Sequence, residues 1–270
     1  MLIADEEWFD LQFTPELAAT KYGIELPSLP TDEVQITYTA QTGYGNLREA
    51  FEFYKYASLW GTMGVTQPKI LDFGGGWGRI SRFFLRDTRP ENIYIADTAP
   101  LAIEALRNTG NPCRIILNTP RPPIVGLPGS LDLVYAYSVF SHLSEEYFQL
   151  WVDYSFERLR PGGHIVFTTR GQMFIDYLKR LHAGASASAP QLEELVQLLR
   201  EAMPLPAEIE RIHRDGQFQF FPLEGFIPDF YGEAFIPKAY LAKRYGNALV
   251  DFREDVPNQA QAIAVLRKPY

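Results

Sequence analysis

The sequence predicts an α/β chain, a largely parallel sheet with helices on both faces, and three stretches carry that expectation. Lys69-Ile-Leu-Asp-Phe-Gly-Gly-Gly-Trp-Gly78 is an apolar run that breaks into glycines at 74, 75, 76 and 78. The run suits a buried parallel strand, and the glycines let the backbone turn tightly beneath a ligand. Arg79 to Arg86 then sets Ile80, Phe83 and Phe84 on one helical face, with arginines largely on the other. Asn92-Ile-Tyr-Ile-Ala-Asp97 repeats the strand character and leads into a helical run from Leu101 to Arg107. Strand, glycine turn and helix form the layout of a nucleotide-binding βα unit.

The glycine spacing narrows the ligand. A dinucleotide turn needs G-x-G-x-x-G, and counting from Gly74 and Gly76 the third place holds Arg79. Counting from Gly76 and Gly78 it holds Ser81. What stands is Asp-x-Gly-x-Gly-x-Gly, with Asp72 on the strand. This resembles the first motif of class I S-adenosylmethionine (SAM) dependent methyltransferases, although an ordinary glycine-rich βα turn also has this form. Three later segments extend the resemblance: the acid-ended strand at Asp97, the fourth-strand stretch Leu131 to Leu143, and Leu159-Arg-Pro-Gly-Gly163 leading to a fifth strand through Gly171. The helix between the last two carries Phe148, Val152, Phe156 and Leu159 on one face. The four segments cover residues 69–171 in family order.

The resemblance implies a Rossmann-like, seven-stranded sheet in the order 3-2-1-4-5-7-6, with SAM as cofactor and a small molecule as methyl acceptor. An acid ending the second strand can accept both hydroxyls of a ribose, the role the family gives it, so Asp97 is the ribose candidate. The same residue also reads as a helix cap near Pro100. Asp72, Gly74, Gly75, Gly76, Gly78, Thr98, Asn118, Tyr137 and Ser138 complete the cofactor candidates.

Catalysis is less marked. Methyl transfer needs the acceptor held close and, for a hydroxyl, a proton removed. Ligands of open α/β sheets sit beyond the carboxyl ends of the strands. His164 begins the fifth strand at the wrong end and reads as structural, whereas His142 follows the fourth strand at the right end. His142 is therefore the candidate base, with Tyr231 and Glu233 as alternatives; a helix-entry role bonding backbone is the other reading of His142. Tyr44, Arg170 and His213 are further groups able to face an acceptor.

The segments outside the core are read as follows. Residues 1–60 form a lid or a packing element, with a short strand at Gln35-Ile-Thr-Tyr-Thr39, a turn at Thr42 to Gly45 and a helix from Leu47 to Leu59. The methyltransferase domain takes residues 61–270, with an insertion at about 172–235. In that insertion a helix runs from Met173 to His182, and Ala183 to Ala189 forms a flexible loop. A second helix opens at Pro190 with Leu192, Leu195, Val196 and Leu199 on one face, and a strand lies at Gln217 to Phe220. An aromatic stretch follows, including Phe218, Phe220, Phe221, Phe226, Phe230 and Phe235. A helix at Pro237 to Tyr245 precedes two closing strands, Ala248 to Phe252 and Ala260 to Leu266.

Composition excludes other classes. A net charge of −8 without a basic stripe argues against nucleic acid as partner, and Arg82, Arg86 and Arg89 read as the solvated face of the first helix. No apolar run reaches membrane-spanning length. The acidic start, Met1 to Asp10, lacks the features of a signal peptide. One cysteine, Cys113, excludes internal disulfides and suits a reducing cytoplasm, and four histidines without ligand spacing predict no zinc site. The enzyme rival is a nicotinamide-dependent dehydrogenase and the acceptor rival is a nitrogen. The non-enzyme rival is a SAM-binding protein without turnover. The sequence is silent on oligomeric state.

Overall fold

The computed structural model describes residues 3–185, 193–203, 205–223, 230–254, 256 and 259–270. The start at Met1 and Leu2, part of the expected 183–189 loop, Pro190, Leu192 and Phe226 lie outside them, as does the side chain of Leu195. The strands are β1 Ile70–Phe73, β2 Ile93–Asp97, β3 Arg114–Leu117, β4 Leu131–Ala136, β5 Leu159–Thr169, β6 Gln219–Pro222, β7 Gly232–Phe235, β8 Leu249–Arg253 and β9 Ala262–Arg267. Seven of them form one sheet in the order β3-β2-β1-β4-β5-β9-β8, the order expected when the closing pair is counted as strands six and seven. The helices are α1 Asp5–Leu11, α2 Pro15–Tyr22, α3 Asp32–Thr39, α4 Gly43–Gly61, α5 Pro100–Asn108, α6 Glu145–Arg158, α7 Gln172–His182, α8 Glu193–Ala202, α9 Pro206–Arg214 and α10 Lys238–Tyr245.

The chain divides into two compact units, the first comprising Met1–Ala136, Tyr154–Ile165 and Tyr270. At its centre β1 runs parallel to both neighbours, with Ile70 opposite Ile93 and Leu133. All four β1 residues are buried, as a strand covered on both faces requires, and this is why the run has no polar alternation. Pro100 opens α5, which buries Ala102, Ile103, Ala105 and Leu106 on one stripe. Helix α4 buries Leu47, Ala50, Phe51, Tyr54, Ala57 and Gly61, and Phe51 and Tyr54 join Phe83 and Phe84 in an aromatic cluster.

Two expectations fail in this unit. Residues 35–39 belong to α3, not to a strand. Asp32 and Glu33 in the first turn favour the helix dipole, and the Thr37 and Thr39 hydroxyls find acceptors within the helix, on carbonyls four residues back. The run after the glycines is a tighter 3-10 helix, Ser81–Arg86, and Arg82 is not on a solvated face. Its guanidinium is buried, donating to Gln12 Oε1 at 2.9 Å and to the Pro27 carbonyl at 2.7 Å. Arg86 donates to the Ile3 carbonyl and to Asp5, so both arginines fasten the N-terminal segment to the first βα unit.

The second unit comprises Tyr137–Asp153 and Val166–Pro269. Phe140, Phe148 and Phe167 pack edge to face or tilted at its centre, with ring centroids 5.1–5.6 Å apart. Helices α7, α8 and α9 converge on Ile175, Leu178, Leu181, Val196, Leu199 and Ile209, with Phe235 of β7 in the same cluster. The sequence indicated β6 but not its partner: β6 and β7 form a separate antiparallel pair, with Phe221 opposite Glu233. Gly232 makes this pairing possible, since a Cβ there would lie 2.2 Å from the Phe221 carbonyl oxygen. Strands β8 and β9 form the expected antiparallel hairpin. Among the described residues no helix is long and apolar enough to cross a membrane, and no group of His, Cys, Asp or Glu is arranged to hold a metal ion.

Gly61 closes α4 against the sheet, where an added Cβ would lie 2.6 Å from the Leu133 side chain. Gly61→Ala gains about 1 kcal/mol of helix propensity. Overpacking a filled core costs about 1–3 kcal/mol and should win. The expected outcome is a lower urea midpoint with unchanged slope; a midpoint equal to or above wild type would show that α4 yields at no cost.

Candidate active site

The first unit holds the glycine turn. Gly74, Gly76 and Gly78 all take positive φ, of 70°, 54° and 80°, so the turn demands glycine at alternate positions. Gly74 N–H donates to the Ala96 carbonyl at 2.8 Å, tying the end of β1 to β2. Gly76 N–H donates to Asp97 Oδ2 at 2.9 Å, and Ala99 N–H donates to Asp97 Oδ1 at 2.8 Å. The Asp97 carboxylate therefore receives the N–H of Ala99, the cap residue of α5, and also lies against the glycine turn. Burial raises its pKa, while the N–H groups of Ala99, Gly76 and Thr98 oppose the rise.

The glycines differ in what a side chain would meet. At Gly75 a Cβ would lie 2.5 Å from Ile95 and 2.8 Å from the Asp72 carboxyl carbon, and at Gly78 it would strike Asn111 and Leu106. These two are packing glycines. At Gly76 a Cβ would meet only the Tyr38 ring, at 3.4 Å. Tyr38, within the segment expected as a strand, thus lies against the turn. Burial, and then the charge of Asp97, raise its hydroxyl pKa. A helix assignment for residues 32–39 would have been the signal, since it brings Tyr38 and buried Gln35 onto nearby turns.

Gln35 links this helix to the turn. Its Oε1 accepts from Gly43 N–H and from Asn46 Nδ2, and Asn46 Oδ1 accepts from Arg79 at 2.7 Å. Arg79 also pairs with Glu49 at 2.9 Å. The residue standing where a dinucleotide turn has its third glycine is therefore a buried guanidinium bound to α4. Asn118 follows β3, its N–H bonded to the Asp97 carbonyl, and its buried Oδ1 has no hydrogen-bond partner among the described residues. A crowded turn of left-handed glycines, a carboxylate at the end of β2 and an unsatisfied amide oxygen beside it fit the amino-acid and ribose groups of SAM. Thr98 is exposed, Tyr137 and Ser138 follow β4 in the second unit, and Tyr44 lies exposed, stacked on Phe13 and accepting from Arg48.

The second unit brings the three catalytic candidates together. His142 ends a 3-10 turn, Phe140–His142, and its Nδ1 lies 2.8 Å from the Gly232 carbonyl. A carbonyl can only accept, so Nδ1 carries the proton and Nε2 presents its lone pair. The Tyr231 ring stacks on the imidazole, 5.3 Å between centroids and 8° between planes. Glu233, with its side chain 4% exposed, places Oε1 3.4 Å from Nδ1. Arg170 donates Nε to Glu233 Oε2 at 2.6 Å and NH2 to Oε1 at 3.2 Å. Ser138 Oγ lies 3.4 Å from Nε2, and its backbone takes a left-handed φ of 57°, unusual for serine. Burial lowers the His142 pKa below its ordinary value, with Glu233 opposing and Arg170 adding to the fall. His213 instead packs toward Phe235, and His164 lies beside Trp60.

Known proteins share this fold. Residues 71–165 match the family model of a methyltransferase domain. A curated relative, the biotin biosynthesis bifunctional protein BioCD of Bordetella avium, is 28% identical over 146 residues, covering 51% of this chain. The chain spans 30% of that relative's length. Among solved structures, a SAM-dependent methyltransferase from Clostridium acetobutylicum superposes with a TM-score of 0.54 at 9% identity, covering 88% of this chain and 97% of that one. The Burkholderia thailandensis 1,6-didemethyltoxoflavin-N1-methyltransferase, bound to S-adenosylhomocysteine, gives 0.52 at 13% identity over 100% and 92%. Streptomyces venezuelae DesVI gives 0.53 at 13% over 88% and 98%. Residues 71–165 thus match a methyltransferase domain, and the chain shares its fold with SAM-dependent methyltransferases.

Buried Asp72 allows a check on the cradle. Burial pushes its carboxyl from 3.8 up to about 7. A raised acid stabilises the fold fully below the unfolded value, and that contribution is lost as pH rises through about 7. Asp72→Asn removes the dependence, so its melting temperature relative to wild type should rise between pH 4 and pH 8. A constant difference across that window would place Asp72 in a polar, wet site.

Proposed function

We propose that this enzyme transfers the methyl group of SAM to a hydroxyl of a small molecule, a sugar or natural product, with His142 as the general base. The observation that carries the reading is the His142 imidazole, held on a backbone carbonyl by Nδ1 so that Nε2 is left to take a proton. When bound, SAM supplies an electrophilic methyl on a sulfonium. Gly74, Gly76 and Asn118 would hold its amino-acid and adenosine portions, and Asp97 would take the ribose hydroxyls. His142 Nε2 takes the acceptor's hydroxyl proton as the oxygen becomes nucleophilic.

Other readings are weaker. Arg79, bound to Asn46 and Glu49, fills the place a dinucleotide's third glycine would need, which disfavours a nicotinamide dehydrogenase. A nitrogen acceptor has the support of the N1-methyltransferase among the structural neighbours. The net charge of −8 supports a small molecule over nucleic acid, and the single buried cysteine supports a cytoplasmic location. Residues 1–60 are read as a lid segment of the domain at 61–270, on the contact of Tyr38 with the glycine turn. A SAM-binding protein without turnover would leave the His142 arrangement without a use.

A labelled-methyl screen over hydroxylated and aminated acceptors tests the reading. Label should appear on oxygen, and His142→Gln should lower kcat by about a hundredfold to ten-thousandfold. SAM affinity should stay nearly intact in that variant. Asp97→Ala should instead weaken SAM by about tenfold to a hundredfold, the loss of hydrogen bonds to a charged group. Label on nitrogen, or a His142→Gln loss below about tenfold, overturns the base assignment.

A further inference from the structure

We infer that Arg170 is a positioning residue for His142, claiming the Glu233 carboxylate so that the imidazole stays neutral with Nε2 unprotonated. The inference rests on the reading of His142 as base. A buried carboxylate needs a cationic or hydrogen-bonding partner. Among the described residues Arg170 and His142 are in reach of Glu233, and geometry separates them. Arg170 makes two charge-assisted bonds, at 2.6 and 3.2 Å, while His142 Nδ1 stands 3.4 Å away with its proton already directed at Gly232.

Without Arg170, the imidazolium would be the cation nearest Glu233, and protonation of His142 would satisfy the buried charge. A protonated imidazole accepts no proton from a substrate. Arg170 NH2 also lies 3.4 Å from Nε2, where its charge disfavours a second proton on the ring.

The surroundings hold this arrangement from three sides. Residue 170 follows β5 and bridges in parallel to Phe235, setting it beside β7. Its guanidinium lies 4.2 Å from the Phe174 ring centroid, a face suited to a planar cation. Leu143 bridges to Tyr231, which brings the imidazole and the tyrosine ring into their stack. The groups facing His142 are Ser138 from the segment after β4, Arg170 after β5, and Tyr231 and Glu233 at β7. Arg170 and Glu233 are the charged pair among them. A lysine would supply charge without the fork, and so would leave one carboxylate oxygen for the imidazole.

Side-chain nitrogen NMR of the full-length protein reads this directly, without an acceptor. With four histidines in the chain, the His142 signals are identified by their loss in His142→Gln. In the wild type, His142 should appear as the Nδ1–H tautomer and titrate below an ordinary histidine. Arg170→Met should raise its titration midpoint by about one pH unit or more, a tenfold change in proton affinity. Arg170→Met combined with Glu233→Gln should return the midpoint to near or below the wild-type value, a reversal that a merely structural role for Arg170 would not produce. Should Arg170→Met fold poorly, Arg170→Lys is expected to move the midpoint in the same direction by less. An unmoved His142 midpoint in a folded Arg170 variant, or no reversal in the double variant, overturns the inference. Loss of the base reading shows separately, as full methyl transfer by His142→Gln, and leaves these midpoints unchanged.

Discussion

Two backbone N–H groups, from Gly76 and Ala99, converge on the carboxylate of Asp97, and the architecture of the candidate cofactor site depends on that meeting. Asp97 ends β2, Gly76 lies in the turn after β1, and Ala99 precedes α5, so one side chain fixes three segments relative to each other. The arrangement costs something: burial disfavours the charge, and the N–H groups return part of what desolvation removes. The glycine turn can approach this carboxylate because its backbone takes left-handed conformations that side chains rarely tolerate. Crowding at Gly75 and Gly78 then prevents the turn from relaxing away.

Polar side chains carry that order outward through the first unit. Arg79, immediately after the turn, is bound by Asn46 of α4; Asn46 is bound by Gln35 of α3, and α3 sets Tyr38 against Gly76. Arg82 and Arg86 fasten the earlier N-terminal residues in the same way. A helix that sequence reading credits with a solvated arginine face is therefore the anchor of the N-terminal segment. Charged residues seldom lie buried unless paired or hydrogen-bonded: Arg79 pairs with Glu49 and Arg86 with Asp5, while Arg82 is held by neutral oxygen acceptors.

The α/β core was legible because its signals are local. The unbroken apolar run of β1, the acid ending β2 and the proline opening α5 each follow from one segment's own chemistry, and sheet order came with the family resemblance. What escaped depends on partners distant in sequence. The helix at 32–39 competes with four β-branched residues, and its burial of Gln35 cannot be read before Asn46 is known to meet it. Strand β7 is only four residues long and pairs outside the main sheet, so it leaves no periodic trace. For the catalytic candidates, sequence offered His142, Tyr231 and Glu233 without a reason to join them. The fold supplies the reason: a bridge at Leu143 and Tyr231, and the Gly232 carbonyl that selects the imidazole tautomer.

A crystal structure with S-adenosylhomocysteine would show whether the Asp97 carboxylate and the glycine turn together receive SAM. The ribose hydroxyls are expected on Asp97 and the amino-acid portion against Gly74 and Gly76. A ligand bound with its ribose away from Asp97, leaving the carboxylate bonded to Gly76 and Ala99 alone, would contradict that placement.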